Sequence, residues 1–231
     1  MILIYGSYYI CIDIYYKTMI LKLLNKSIMT CAKRNSGKTQ LVKYLVSQSK
    51  HLFNEIFLIS TTNLITNDFE GIIDPKFIFN EYNEEWLDGL IKKMADITQK
   101  IGPNKDESKY IHIMLILDDC VSESHLRESK IFQKLFTQGR HFKISIIFIS
   151  QAVRFLNPIC RNNLDYLLIS QMNSQALDSV STDFRVGNVS KKDFLNIYNQ
   201  NCSNYQFLII NLSCVLNNND LDQLYGVIKA K

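Results

Sequence analysis

Residues 32–39 read Ala-Lys-Arg-Asn-Ser-Gly-Lys-Thr, and the reading of this octapeptide decides the fold. It follows the phosphate-loop pattern G-x-x-x-x-G-K-[ST], with Ala32 in place of the first glycine and Gly37, Lys38 and Thr39 in position. The chemistry behind the pattern is specific. A tight turn aims backbone N–H groups at phosphate oxygens, a lysine reaches the outer phosphates, and a hydroxyl holds Mg²⁺. The following helix adds the positive end of its dipole. The flanks agree with that context. Ser27–Cys31 is a short apolar, β-prone run, and Leu41, Val42, Leu45 and Val46 fall on one helical face. The expected ligand is a nucleoside triphosphate with Mg²⁺, held by Ala32, Lys33, Arg34, Asn35, Ser36, Gly37, Lys38, Thr39 and Gln40, with Thr39 also on the metal. Ala32 poses one question: it is strained if its position needs φ > 0 and harmless if it does not.

Outward from the loop, strand and helix signals alternate, which predicts an α/β sheet with helices on its faces. Glu55–Ser60 reads as a second buried strand. Leu87, Leu90, Ile91, Met94, Ile97 and Ile101 recur at helical spacing behind Asn83, a capping residue, with Glu84 and Glu85 in the first turn. Residues 102–109 are polar and contain Pro103, as in an exposed loop. Strands are expected over 111–117, 143–150, 166–170 and 205–212. Helices are expected over 128–138, ended by Gly139, over 191–199, and in a short final segment.

The chain has 231 residues, 47% of them apolar, with three prolines and a formal charge of +4. Disorder is excluded, and a nucleic-acid partner is permitted without being demanded. Cys11, Cys31, Cys120, Cys160, Cys202 and Cys214 show no C-x-x-C spacing, and His51, His112, His125 and His141 show no metal spacing. Isolated thiols beside apolar strands fit core positions in a reducing, intracellular compartment. Residues 1–18 are apolar and aromatic, lack the basic start of a signal peptide, and are broken by Asp13 before they could span a bilayer. They read as an extension or extra strand ahead of one phosphate-loop domain over 19–231, or as the result of a misassigned start with Met19 as the true first residue.

Asp118 and Asp119 close the apolar run 113–117. Two aspartates also simply end strands and begin turns. Downstream of a phosphate loop, however, a strand that delivers a carboxylate to its C-terminal end makes Asp118 a Mg²⁺ ligand and Asp119 the group that orients or deprotonates water. Gln151, closing the next strand, is a sensor candidate if that strand lies beside the loop strand. Arg140 and Arg161 are candidates for a finger entering a neighbouring subunit's site.

Gly139-Arg140-His141, the strand to Gln151, Asn157-Pro158 and Arg161-Asn162-Asn163 resemble the FtsK–HerA superfamily of DNA-pumping ATPases. With Lys33–Thr39 and Leu117-Asp118-Asp119-Cys120 the stretch 25–215 is similar to the poxvirus-type genome-packaging ATPases of large DNA viruses and virophages. The resemblance implies a P-loop NTPase of the ASCE, RecA-like kind: a three-layer sandwich around a mainly parallel sheet, with the Gln151 strand inserted between the loop strand and the acidic strand. It further implies a pentameric or hexameric ring that pumps double-stranded DNA into a preformed capsid at its portal vertex, in the host cytoplasm or virion. Arg140 is then the better finger and Arg161 the second choice. The sequence departs from the pattern at Ala32, and at Asp119 where many such pumps carry glutamate. DNA-contacting loops are not marked, and 102–109 with Lys105 and Lys109 is the candidate. A nucleoside or small-molecule kinase, and a hydrolysis-poor assembly subunit, are the alternatives. An Asn-Lys-x-Asp GTPase motif and a Leu-Ser-Gly-Gly signature are both absent from the sequence.

Overall fold

Apolar runs without alternation demand cover on both faces. The computed structural model, which describes residues 10–12, 19–62, 66–120, 126–185, 188–214 and 221–230, provides it. Strands β3 (Ser27–Cys31), β6 (Ile113–Asp118) and β7 (Ile144–Ser150) are buried along their whole lengths. They form the centre of an eight-stranded sheet with β4 (Glu55–Ser60), β5 (Ile78–Phe79), β8 (Tyr166–Ile169), β9 (Gln206–Asn211) and β10 (Tyr225–Lys229), in the order β10-β9-β8-β3-β7-β6-β4-β5. The strands from β8 across to β5 are parallel, while β9 and β10 run antiparallel to their neighbours.

Alternation along each strand divides the core in two. Helix α1 (Lys38–Ser49) buries Leu41, Val42, Leu45 and Val46 against Ile28, Ile147, Ile149 and Leu168 on one face. On the other, α2 (Glu84–Ile101) brings Leu87, Ile91 and Met94, and α3 (Lys130–Gln138) brings Phe132, Leu135 and Phe136. A four-residue helix, α4 (Pro158–Arg161), leads into β8. Helices α5 (Ser174–Asp183) and α6 (Lys191–Asn201) complete the second layer with Val180, Phe194 and Tyr198. The expected three-layer sandwich and mainly parallel sheet are therefore present, and β7 does lie between β3 and β6. Capping follows the chemistry of N-terminal side chains: Asn83, Ser129, Asn173 and Ser190 each accept from a backbone N–H in the first turn of their helix.

The entry edge of the sheet is pinned by Asp165. Its carboxylate accepts from Lys26 Nζ at 2.7 Å and from the Ser27 N–H at 2.9 Å, so the N-terminal ends of β3 and β8 are tied together where the site is not.

Several elements differ from expectation. The strand before Asp118 starts at Ile113, because the His112 N–H is drawn to Asn54 Oδ1 at 2.8 Å. Gly139 ends α3 as expected, but not in a left-handed conformation. Its φ is −51°, the backbone runs on as a 3₁₀ turn over Gly139–Phe142, and the left-handed residue is Lys143, φ 62°. The final segment is helical only over α7 (Leu221–Leu224) and then becomes β10, whose pairing with β9 outweighs local propensity. Helix α5 and the two-residue β5 were not foreseen. Of residues 1–18, only Ile10–Ile12 are described; this strand, β1, pairs antiparallel with β2 (Met19–Leu21), apart from the main sheet. No described helix is long and apolar enough to cross a membrane.

Candidate nucleotide site

Parallel strands bring their C-terminal ends to a common edge, and there the loop after β3 turns into α1. Gly37 caps that helix with φ 83°, and no side chain caps it. The first-turn N–H groups of α1, without intrahelical acceptors, are thus left facing the loop. Asn35, φ 56°, supplies a second left-handed residue. Buried Ser36 braces the turn by donating to the Lys33 carbonyl at 2.7 Å. The loop is fastened to its neighbours: the Lys33 N–H donates to the Gln171 carbonyl at 2.8 Å, beyond β8, and the Ala32 N–H to the Ser150 carbonyl at 3.4 Å, on β7.

The question posed by Ala32 is answered by its backbone. Its φ is not in the left-handed region, unlike those of Asn35 and Gly37. Its methyl is fully buried in the apolar cluster beneath α1. The residue therefore costs no strain and adds to the core.

Lys38 folds its ammonium back onto the loop, donating to the carbonyls of Ala32 at 2.8 Å and Lys33 at 2.9 Å. Burial holds its pKa below the usual lysine value, with Asp119 and Asp118 opposing that shift. On β6, Asp118 pairs in register with Ser60 of β4 and Ile149 of β7. It is only 8% exposed. Burial, and then the neighbouring charge of Asp119, push its carboxyl from the usual 3.8 up to about 7, against the pull of Lys38. Asp119 leaves the strand with φ 55°, a conformation aspartate tolerates, and its carbonyl accepts from Thr61 Oγ1 at 3.3 Å. Two adjacent carboxyls with too little positive charge are the chemistry a divalent cation satisfies. Mg²⁺ takes one or two carboxylates together with phosphate oxygens and waters, so Asp118 and the Thr39 hydroxyl fit that role without a larger acidic cluster, of which none occurs among the described residues.

Gln151 follows directly on β7 and is exposed at the same edge. It lines a cavity of about 250 Å³ with Arg154, Asn173, Gln175 and Ser179. Arg140 and Arg161 are elsewhere. Arg140 precedes β7, whose seven residues at about 3.3 Å each set it about 20 Å from the loop edge. It is exposed and lines a cavity of about 570 Å³ with Gly102, Pro103, Asn104 and Lys143, so it meets the 102–109 loop there. Arg161 lies before β8, with Nη1 on Asp183 Oδ2 at 3.1 Å. Neither arginine reaches its own loop.

Three groups at the loop edge escaped the sequence reading. Asp68 adds its charge to Asp118, Thr61 holds the Asp119 carbonyl, and Arg154 stands beside Gln151. Arg154, four residues past the end of a strand already marked, carried a usable signal. The other two sit in or after a polar stretch without periodicity. Cys31, Cys160 and Cys202 are plain core thiols pushed up to about 12 by burial.

Fold and site together define a P-loop NTPase fold with the Gln151 strand between the loop strand and the acidic strand. The sequence profile of the family described as "Poxvirus A32 protein" matches residues 16–224, and the chain belongs to that family. It is similar to uncharacterized protein 015R of Frog virus 3 (isolate Goorha), 23% identical over 184 residues, or 79% of this chain and 55% of that protein. It is also similar to uncharacterized protein 075L of Invertebrate iridescent virus 6, 27% identical over 200 residues, or 86% of this chain and 75% of that protein. The chain thus spans little more than half of the Frog virus 3 protein. In fold it is similar to the genome packaging NTPase B204 of Sulfolobus turreted icosahedral virus 2, solved with ATP-gammaS: TM-score 0.61, 15% identity, 89% of this chain and 98% of that one.

Two predictions follow from the geometry. Ala32→Gly restores the consensus glycine but removes a buried methyl and frees the unfolded chain, so unfolding is expected about 1 kcal/mol easier. Nucleotide affinity should stay the same; tighter binding would contradict the negative φ. The second concerns Asp118. Below pH 4 the folded and unfolded states both hold its proton. Between pH 4 and 7 only the unfolded state ionises, and stability falls. Above about pH 7 the loss is complete, on the order of 4 kcal/mol. In chelator-treated protein, Asp118→Asn should therefore gain stability over wild type as pH rises from 4 to 7 and hold a constant gain above. Melting curves with a pH-independent difference would rule this out.

Proposed function

We propose that this protein is an ATP-driven translocase that packages double-stranded viral DNA into a preformed capsid, hydrolysing ATP with Mg²⁺ at the subunit interfaces of a ring. One observation carries the reading. The phosphate loop, Asp118-Asp119 and Gln151 share the C-terminal edge of three adjacent strands, whereas Arg140 stands at the opposite edge. Arg140 does not reach the site of its own subunit, and entry into a neighbouring copy's site is the simplest use for it. Membership of the A32 family and the fold shared with a viral packaging NTPase support the direction of the work done.

In this mechanism the N-terminal N–H groups of α1 hold phosphate oxygens. Lys38 exchanges its two loop carbonyls for the outer phosphates. Thr39 and Asp118 would hold the metal, which when bound would neutralise charge on the phosphate oxygens. Asp119 accepts the proton of the attacking water, with its backbone fixed by Thr61. Gln151, at the tip of the strand between loop and acid, orients that water or registers loss of the terminal phosphate. Arg140 of an adjacent copy stabilises the charge that develops in transfer. The exposed 102–109 loop lies beside Arg140, and its Lys105 and Lys109 would grip the DNA backbone. Nucleotide state at one interface would then be felt at the DNA through a shared surface. The host cytoplasm or the virion is where such a motor acts.

ATP hydrolysis by the purified protein should rise with double-stranded DNA and fall by at least a hundredfold in Lys38→Ala, about 3 kcal/mol in the barrier. DNA-independent hydrolysis accompanied by phosphoryl transfer to a nucleoside would replace this reading with a kinase. In mixtures, Arg140→Ala subunits should depress wild-type turnover by more than their share, since each spoils a neighbour's site. Activity falling in simple proportion to the mutant fraction would remove Arg140 from that role.

A further inference from the structure

Tyr205 is the most exposed large apolar side chain among the described residues, at 57%, and it stands against the phosphate loop. Its Cδ1 lies 3.0 Å, and its Cβ 3.8 Å, from the point where a Cβ on Gly37 would be. The backbone that places it is strained. Asn204 and Tyr205 both adopt left-handed conformations, φ 51° and 63°, which a bulky aromatic rarely does. The arrangement is held by surrounding bonds. The Ala230 N–H donates to the Tyr205 carbonyl at 2.9 Å, and the Gln206 N–H donates to the Ser203 carbonyl at 2.9 Å. Ser170 Oγ donates to the Gln206 carbonyl at 2.6 Å. Strain maintained by so many contacts, around a side chain left mostly in solvent, points to a ligand.

The sheet fixes which part of a ligand that is. Asp118 and Gln151 lie on the β7 and β6 side of β3, so the terminal phosphate points that way. The α-phosphate and everything attached to it leave the loop on the opposite side, over β8 and β9. Tyr205 immediately precedes β9, whose Leu208 pairs with Ile169 at the end of β8. We propose that Tyr205 is the platform on which the purine base of the bound nucleoside triphosphate stacks. The inference rests on the nucleotide site argued above. It also gives Gly37 a second constraint: a side chain there would strike the ring as well as strain the backbone.

The test separates base from phosphate. Binding of ATP and of inorganic tripolyphosphate, each with Mg²⁺, is measured by calorimetry on wild type, Tyr205→Leu and Tyr205→Phe. Loss of stacking weakens ATP about tenfold in the leucine variant. Tripolyphosphate should bind within about twofold of wild type, and phenylalanine should retain both affinities, as expected for a contact through the ring face. In Tyr205→Trp, ATP but not tripolyphosphate should quench the added indole emission. Equal weakening of both ligands in the leucine variant, together with an indole indifferent to ATP, would reduce Tyr205 to a brace for the loop and overturn the proposal. Unchanged ATP affinity in the leucine variant would do the same. If wild type binds tripolyphosphate and ATP normally, those failures leave the nucleotide site intact; if it binds neither, the site itself is wrong.

Discussion

A helix that begins without a side-chain cap leaves polar hydrogens with nowhere to go. In this fold that helix is α1, and the deficit is placed at the edge where parallel strands end. Everything near it is arranged around the deficit. The loop is tied on one side to Gln171, just beyond β8, and on the other to Ser150, the last residue of β7. Lys38 satisfies loop carbonyls for want of a better partner, and Asp118 holds its proton toward neutral pH. Each of these groups is in a compromise that an anion with a divalent cation would resolve. The far edge has no such tension, since Asp165 is matched there by Lys26 and the Ser27 N–H.

The order of strands turns that local deficit into a directional site. Because β7 is inserted between β3 and β6, a terminal phosphate has acid and amide on one side of the loop only. The other side is left to whatever the phosphates carry, and an aromatic ring in a strained backbone is found there. Arg140 and Arg161 sit at the far edge, the first exposed and the second paired with Asp183, while Arg154 stands beside Gln151.

Much of this was legible in the sequence, and the reason differs from element to element. The loop, its strand and its helix were readable because chemistry there restricts residue type at fixed spacing. β6 and β7 were readable because burial on both faces leaves an unbroken apolar run. α5 was not, since its sequence is rich in hydroxyls and buries few apolar groups. β10 was not, because an edge strand is formed by its partner more than by its own composition. Tyr205, Asp68 and Thr61 lie far from the loop in sequence and carry no motif; only folding brings them to it. Gly139 does end its helix as the sequence indicated, but without a left-handed conformation, which Lys143 takes instead.

The buried methyl of Ala32 has a bearing on how such loops are found. The first position of the motif is usually written as a letter, yet what the turn requires is a set of dihedral angles, and only some of its positions require glycine's. Where φ stays negative and the Cβ direction leads into the core, a small side chain is an opportunity for packing. A pattern search that insists on glycine discards chains like this one, while a search phrased as "no side chain where φ is positive" retains them. Sequences set aside as degenerate on that letter alone are therefore a pool in which intact phosphate loops remain to be recognised.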